Sequence, residues 1–329
     1  MARLADLPVP DLLSRTAMPQ ENLSGRTIAG YRLLKRVGEG GTATVYRAEH
    51  AEHGTCAVKI LRERMRKDPT AVKRFLREAG YGARVQHPGV VRTYDFGEED
   101  GLDYLALEWA DGEPLSDFLH RSGPLAPELT AHVISLLAGG LAIAHAAGII
   151  HRDLKPENIV YNPESRDVKL LDFGIARDAQ MDATERLTRT GFFVGTLNYV
   201  APEALSGELV DEAADIYSLA TIAYYLLTTQ HPYAGKSPRE LFQQLLTQDP
   251  VPLNEADKNR SFTASLQAAV MAGLARDPKD RPASVEAFSE GLTNAVMSPE
   301  PDSAVAESGE QPGGGLLGRM KSMFRGKRD

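Results

Sequence analysis

Among 329 residues there are one cysteine, one tryptophan and an aromatic content of only 7%. A single cysteine excludes a disulfide within the chain, so the fold has to be held by its apolar core, and it suits a reducing compartment. Positive charge is in deficit, with 37 Lys and Arg against 45 Asp and Glu and a net charge of −8. That balance excludes general nucleic-acid binding, which calls for a basic surface. Residues 1–22 mix charges with Pro8, Pro10 and Pro19 and lack the cationic start and apolar core of a secretion signal. Nor does glycine follow Met1, so myristoylation is not expected. No internal repeat is visible. Long apolar runs are confined to 131–150 and 216–227. The first approaches membrane-span length but is interrupted by His132, Ser135 and His145, and both read as buried helices.

What is present is enough for one or two cores: 42% hydrophobic and 25% charged residues. Composition divides the chain. Residues 1–30 form a flexible extension. Residues 31–110 alternate one charged helix with strand-like runs, among them Val90-Val91-Arg92-Thr93-Tyr94 and Tyr104-Leu105-Ala106-Leu107, and residues 111–297 have helical periodicity. A disordered Pro-, Glu-, Ser- and Gly-rich linker covers 298–315 and ends in Gly313-Gly314-Gly315. In the tail, 316–329, Leu316, Leu317, Met320, Met323 and Phe324 share one helical face, while Arg319, Lys321, Arg325, Lys327 and Arg328 add positive charge. So short a helix is marginal in water, but it suits an anionic membrane surface or the groove of a protein partner.

The chemistry is concentrated in a few strings. His151-Arg152-Asp153-Leu154-Lys155-Pro156-Glu157-Asn158 is followed by Asp172-Phe173-Gly174. Transfer of a γ-phosphoryl group needs a carboxylate beside the acceptor hydroxyl, oxygen ligands for Mg²⁺ and a cation for the developing charge. Asp153, Asn158, Asp172 and Lys155 match those needs in type and order. Upstream, Gly38-Glu39-Gly40-Gly41-Thr42-Ala43-Thr44-Val45 fits a glycine-rich loop between two strands, where missing side chains let backbone N–H groups approach phosphates. In Cys56-Ala57-Val58-Lys59, strand alternation sends Ala57 and Lys59 to one side and Cys56 and Val58 to the other. Lys59 therefore reaches into a cleft, and Cys56 is a small buried apolar residue. Glu78, in a charged helical stretch, is the natural partner to hold that lysine against the α- and β-phosphates. Gly80 and Gly82 weaken this helix and would let the pair open. Ala201-Pro202-Glu203 closes the segment that begins at Asp172.

The order of these motifs over about residues 31–295 resembles that of a eukaryotic-type (Hanks-type) bacterial serine/threonine protein kinase. The resemblance implies an α+β bilobal fold, with a small β-rich N-lobe carrying one helix and a larger, mostly helical C-lobe. It implies ATP and Mg²⁺, with Mn²⁺ able to substitute. Val37, Val45, Ala57 and Val160 would sandwich the adenine, Leu107 would line its back wall, and the backbone of Glu108 and Ala110 would bond its edge. Asp153 would accept the hydroxyl proton, Asn158 and Asp172 would hold the metal, and Lys155 would neutralise the transferring group. Lys155 and Thr196 favour Ser/Thr acceptors. Glu203 and Arg281 would fasten the activation segment, and Asp215 would hold the catalytic loop. Arg152 implies a phosphorylated partner at Thr188 or Thr190, with Thr184 a weaker candidate. Ala43 and Ala220 stand where the family usually has glycine. Implied partners are protein substrates and a cognate Ser/Thr phosphatase, in the cytoplasm or at the inner membrane face. A pseudokinase-type scaffold is the alternative. A small-molecule phosphotransferase is disfavoured by Lys155 and the intact Ala201-Pro202-Glu203.

Overall fold

The computed structural model describes residues 22–172, 197–206 and 210–297. The linker, the basic tail, most of the N-terminal extension and 173–196 lie outside the described residues, and with them Phe173, Gly174, Thr184, Thr188, Thr190 and Thr196.

Six strands build the first lobe. β1 (Thr27–Ile28), β2 (Tyr31–Glu39), β3 (Ala43–His50), β4 (Gly54–Leu61), β5 (Thr93–Glu99) and β6 (Leu102–Glu108) pair antiparallel in the order β1-β2-β3-β4-β6-β5. The β5–β6 hairpin turns on Asp100-Gly101 with φ of 53° and 73°, the Asp-Gly signature of a turn whose twist matches its strands. Alternation sends Cys56, Val58 and Ile60 into a core with Tyr31, Leu33, Tyr46 and Ala106. The opposite face carries Ala43, Leu61 and Leu105. At one end it is covered by Phe75 and Ala79 of α2 (Pro69–Gly82), which follows the short α1 (Glu63–Arg66). Ala43 is thus a core residue opening β3, which accounts for its methyl group.

Two readings change. Leu23 and Ile28, assigned to the flexible extension, are buried in the same core as Tyr31 and Tyr46, and Leu23 N–H donates to Tyr46 Oη at 3.3 Å. Two isolated apolar residues in a polar stretch carry no periodicity that marks a strand. The run from Val90 to Tyr94 also divides, since only Thr93 and Tyr94 enter β5. Val90 and Val91 join the lobes instead. Val90 bridges to Leu170, Val91 N–H donates to Leu170 O (3.0 Å), and Leu170 N–H donates to Gly89 O (2.8 Å). Glycine also lets Val90 seat against the helix that carries Gly140, where an added Cβ would lie 2.5 Å from Val90 Cγ2.

The second lobe contains α3 (Leu115–Ser122), α4 (Pro127–Ala146), α5 (Pro202–Ser206), α6 (Glu212–Thr228), α7 (Pro238–Thr247), α8 (Leu253–Ala256), α9 (Ala264–Gly273) and α10 (Val285–Met297). A small sheet of β7 (Glu113–Pro114), β8 (Ile159–Tyr161) and β9 (Val168–Leu170) belongs to this lobe, and Leu170 of β9 carries the bridge to Val90. By length and composition α4 could cross a membrane. Here its Val133, Ile134, Leu137 and Leu141 are fully buried in a core shared with α6 and α10, which explains its apolarity. Ala220 of α6 faces Gly273 of α9, where an added Cβ would come within 2.5 Å of the Ala220 methyl. The contact tolerates one methyl group, and this chain carries it on α6.

Glu203 and Arg281 form a buried bidentate pair, Nη1 to Oε1 at 2.7 Å and Nη2 to Oε2 at 2.8 Å. Arg281 also donates to the carbonyls of Ala275 (2.8 Å), Ala213 (2.8 Å) and Arg276 (3.1 Å). A buried pair whose donors are this well occupied avoids the penalty of an unpaired interior charge. It ties α5 to the start of α6 and to the segment before α10.

Candidate active site

Strand register builds the first wall of the cleft. Val45 lies opposite Lys59, and Lys59 opposite Leu105; Ala57 lies opposite Leu107. Residues paired across an antiparallel ladder share a face, so Val45, Ala57, Lys59, Leu105 and Leu107 lie on one side of the sheet. Phe75 and Ala79 cover part of that side, and the half-buried Val45, Ala57 and Lys59 face the rest. Val37, at a bulge in β2, is 42% exposed, and Val160 in β8 is half-buried in the other lobe. At the crossing, Glu108 N–H is committed to Arg92 O at 2.8 Å, so a backbone donor for a ligand has to come from Ala110. The Glu108 carboxylate is occupied on the far side by Lys169 Nζ (2.6 Å) and Arg92 N–H (3.1 Å).

The glycine-rich loop sits above this wall. A Cβ on Gly41 would meet nothing within 4 Å, and one on Gly38 or Gly40 would make only ordinary contacts. None of the three has positive φ. Neither packing nor backbone conformation demands glycine here, and the open space above the loop is what close backbone approach to a ligand uses.

The floor is the segment His151–Asn158, and one carboxylate fixes it. Asp215, fully buried in the first turn of α6, accepts His151 N–H (2.8 Å), Arg152 N–H (2.9 Å) and His145 Nε2 (2.9 Å). These bonds hold Arg152 at φ 63°, a left-handed conformation that non-glycine residues seldom adopt. Burial lowers the His151 imidazole, with Asp215 and Asp153 acting against it. Kept neutral, the ring donates from Nε2 to Leu171 O (3.3 Å) and accepts Asp153 N–H at Nδ1 (3.3 Å).

On this floor Asp153 meets its neighbours. Asn158 Nδ2 donates to Asp153 O (2.9 Å) and Oδ2 (3.0 Å), and Lys155 Nζ lies 2.9 Å from Asp153 Oδ2. That bonding orients the amide of Asn158 and leaves its Oδ1 as an oxygen ligand. With the Asp172 carboxylate it would make the hard, oxygen-only donor set that Mg²⁺ prefers. Leu171 N–H donates to Asn158 O at 2.8 Å, which sets Asp172 in the chain next to Asn158, and the donor chemistry of the two side chains would fit the ion.

One expected contact differs. Lys59 is paired with Asp172, and no ion pair links Lys59 to Glu78 among the described residues. Asp172, at φ 28°, brings its carboxylate directly against the ammonium, and a single cation serves the nearer of two acids. Burial alone would raise the Asp172 carboxyl, but Lys59, by charge and hydrogen bond, brings it below its usual value. Glu78 lines a small cavity with Val90, Val91, Leu105, Leu107, Leu170 and Asp172. Desolvation there pushes it up to about 7, with Lys59 opposing and Asp172 and Asp153 adding. Gly82, read as a helix-weakening residue, has a packing reason, since a Cβ would sit 2.9 Å from Thr93 Oγ1. Sequence reasoning gave no role to His151, Val90 or Gly89. The sequence marks His151 only as the first residue of its string and Val90 only as part of a strand-like run, and it gives no signal at 89 beyond the glycine itself.

The protein kinase domain model matches residues 31–292, and the chain belongs to that family. It is 37% identical over 271 residues to the serine/threonine-protein kinase pkn3 of Myxococcus xanthus, covering 80% of this chain and 50% of that one. It is 38% identical over 256 residues to the serine/threonine-protein kinase PknB of Mycobacterium tuberculosis, covering 76% of this chain and 40% of that one. The chain thus spans half or less of the length of these curated relatives. Among solved structures, the PknI kinase domain of Mycobacterium tuberculosis superposes with a TM-score of 0.62 at 29% identity, over 82% of this chain and 98% of that one. Rad53 residues 1–466 in complex with AMP-PNP gives 0.65 at 26%, over 80% and 65%. The bilobal protein-kinase fold implied by the motifs is the fold observed.

The Glu78 carboxyl makes stability depend on pH. Its folded value of about 7 lies above the ordinary 4.5, so its contribution is complete below about pH 4.5 and is lost as pH rises through about 7. Glu78→Gln should remove this dependence. Between pH 4.5 and 7 the wild type should lose up to about 3 kcal/mol relative to the variant, read as diverging melting temperatures. Parallel melting curves across that range would contradict the assignment.

Proposed function

We propose that the chain is an ATP-dependent protein kinase that transfers the γ-phosphoryl group to Ser and Thr hydroxyls of proteins. The observation that carries this reading is Asp153, fixed by Asn158 at 3.0 Å and neighboured by Lys155 at 2.9 Å on a loop pinned by Asp215. Asp153 orients the acceptor hydroxyl and takes its proton. Lys155 brings positive charge to the transferring group, and Lys59 holds the α- and β-phosphates. Glu78 is the carboxylate left to hold Lys59 whenever Asp172 is engaged elsewhere. Asn158 and Asp172 would hold Mg²⁺, or Mn²⁺ in its place, and the ion supplies charge against the phosphate oxygens. Val37, Val45, Ala57, Val160 and Leu107 bound the adenine, with Gly38, Glu39, Gly40 and Gly41 above the phosphates. A scaffold role on this fold is favoured by no missing group, since Lys59, Asp153, Asn158 and Asp172 are all present. Lys155, Ala201-Pro202-Glu203 and the relatives' names favour proteins over small molecules as acceptors.

For regulation we propose phosphorylation of Thr188 or Thr190 by the enzyme itself, pairing with Arg152 and reversed by a partner phosphatase. In the cytoplasm the basic amphipathic tail over 316–329 would tether the enzyme to the inner membrane face. Binding of the full chain to anionic vesicles, lost in a chain ending at Gly315, is the outcome expected in co-sedimentation; equal binding would remove the tail from that role.

Lys59→Met and Asp153→Asn should each abolish ³²P transfer from labelled ATP to a generic protein acceptor while still melting cooperatively as folded proteins, because neither removes core volume. Loss of such preorganised charge typically slows transfer by about a hundredfold to a thousandfold or more. Mass spectrometry of wild-type enzyme should place label on Thr188 or Thr190, and Asp153→Asn should carry none. A folded Asp153→Asn variant that transfers at the wild-type rate would sink the catalytic assignment.

A further inference from the structure

Two arginines that no motif includes hold the tip of the glycine-rich loop. Arg62 and Arg64 directly follow β4, three and five residues beyond Lys59. Arg62 N–H donates to Thr42 O at 2.9 Å, and its Nη1 donates to Gly40 O at 3.1 Å and pairs with Glu39 Oε1 at 3.0 Å. Arg64 Nη2 donates to Gly41 O at 2.6 Å. Arg36 takes the second Glu39 oxygen at 3.1 Å. The carbonyls of three successive residues, with the carboxylate before them, are thus engaged by two neighbouring side chains and one backbone N–H. Gly40 N–H closes the turn on Ala43 O at 2.9 Å, and Gly40 and Gly41 have no side chains with which to anchor the tip, so the arginine bonds fix what that turn leaves free.

Peptide geometry turns this into a statement about ligands. A trans peptide plane points its N–H opposite to its C=O, and the described residues contain no cis peptide bond. A Gly40 carbonyl drawn to Arg62 therefore sends the Gly41 N–H the other way. A Gly41 carbonyl drawn to Arg64 does the same for the Thr42 N–H. The guanidinium groups also neutralise Glu39 and the carbonyl dipoles, which would otherwise repel phosphate. We infer that Arg62 and Arg64 form a latch that aims the loop amides at the triphosphate of the nucleotide, which makes them positioning residues for phosphate binding. The inference rests on the ATP reading of the cleft. Because the latch starts at the end of the strand carrying Lys59, the loop above the phosphates and the lysine beside them keep a fixed spacing.

The test measures binding of ATP and of adenosine to the full chain by calorimetry, for the wild type, Arg62→Gln, Arg64→Gln and the double variant. Two charge-assisted hydrogen bonds and the Arg62–Glu39 ion pair are at stake, so the double variant should bind ATP about tenfold more weakly while adenosine affinity stays within about twofold. In steady state, the KM for ATP should rise with little change in kcat. Arg64→Lys should restore most of the affinity, because one donor suffices for the Gly41 carbonyl. ATP affinity unchanged in the double variant, or equal loss of ATP and adenosine, would overturn the latch. If the double variant does not melt cooperatively, the exposed Arg64→Gln alone decides by the same comparison. A wild-type chain binding neither compound would overturn the nucleotide reading itself, and the latch with it, before any variant is compared.

Discussion

Asp215 sits in the first turn of α6 with no exposed surface, and its oxygens accept the N–H groups of His151 and Arg152. A carboxylate there is favoured twice, by the partial positive charge of the helix start and by three hydrogen bonds that compensate for its lost hydration. In return it fixes a backbone turn, with Arg152 at φ 63°, that the local sequence would not hold unaided. Everything downstream inherits that turn. His151 is set to bridge Leu171 and Asp153, and Asp153 is set to meet Asn158 and Lys155. The geometry of the loop is thus a consequence of a helix start in the core of the second lobe.

The first lobe works by a different constraint, strand alternation. Its period of two puts Val45, Ala57, Lys59 and Leu107 on one face and hides Cys56 and Val58 on the other. The two lobes meet through Val90, Val91 and Leu170, and glycines at 89 and 140 let the same segment lie close against α4. Lys59 and Asp172, one from each lobe, are paired across the cleft, so the charge balance of the site also bears on how the lobes sit.

What was legible in the sequence was whatever a short period or a short string encodes. The placement of Lys59 follows from its neighbours in the strand, and the roles of Glu203 and Arg281 follow from the resemblance to the kinase family. The partner of Lys59 was not legible, because Glu78 and Asp172 compete for it in space and no one-dimensional pattern ranks two carboxylates. Leu23 and Ile28 were missed because burial there comes from tertiary contact with Tyr31 and Tyr46, not from local alternation. Val90 and Val91 have strand composition but spend it on a single bridge between lobes. Ala43 and Ala220, departures from a glycine pattern, make sense only beside the residues they pack against.

The most direct test of this account is the rate of phosphoryl transfer by Asp215→Asn. The amide would present an N–H₂ group to one of the two backbone donors, leaving a buried clash of donors at the turn. With the first lobe untouched, ATP affinity should stay as in the wild type, while kcat falls by on the order of a hundredfold as Asp153 loses its fixed position. A folded variant with wild-type kcat would contradict the claim that the buried carboxylate of α6 organises the catalytic loop.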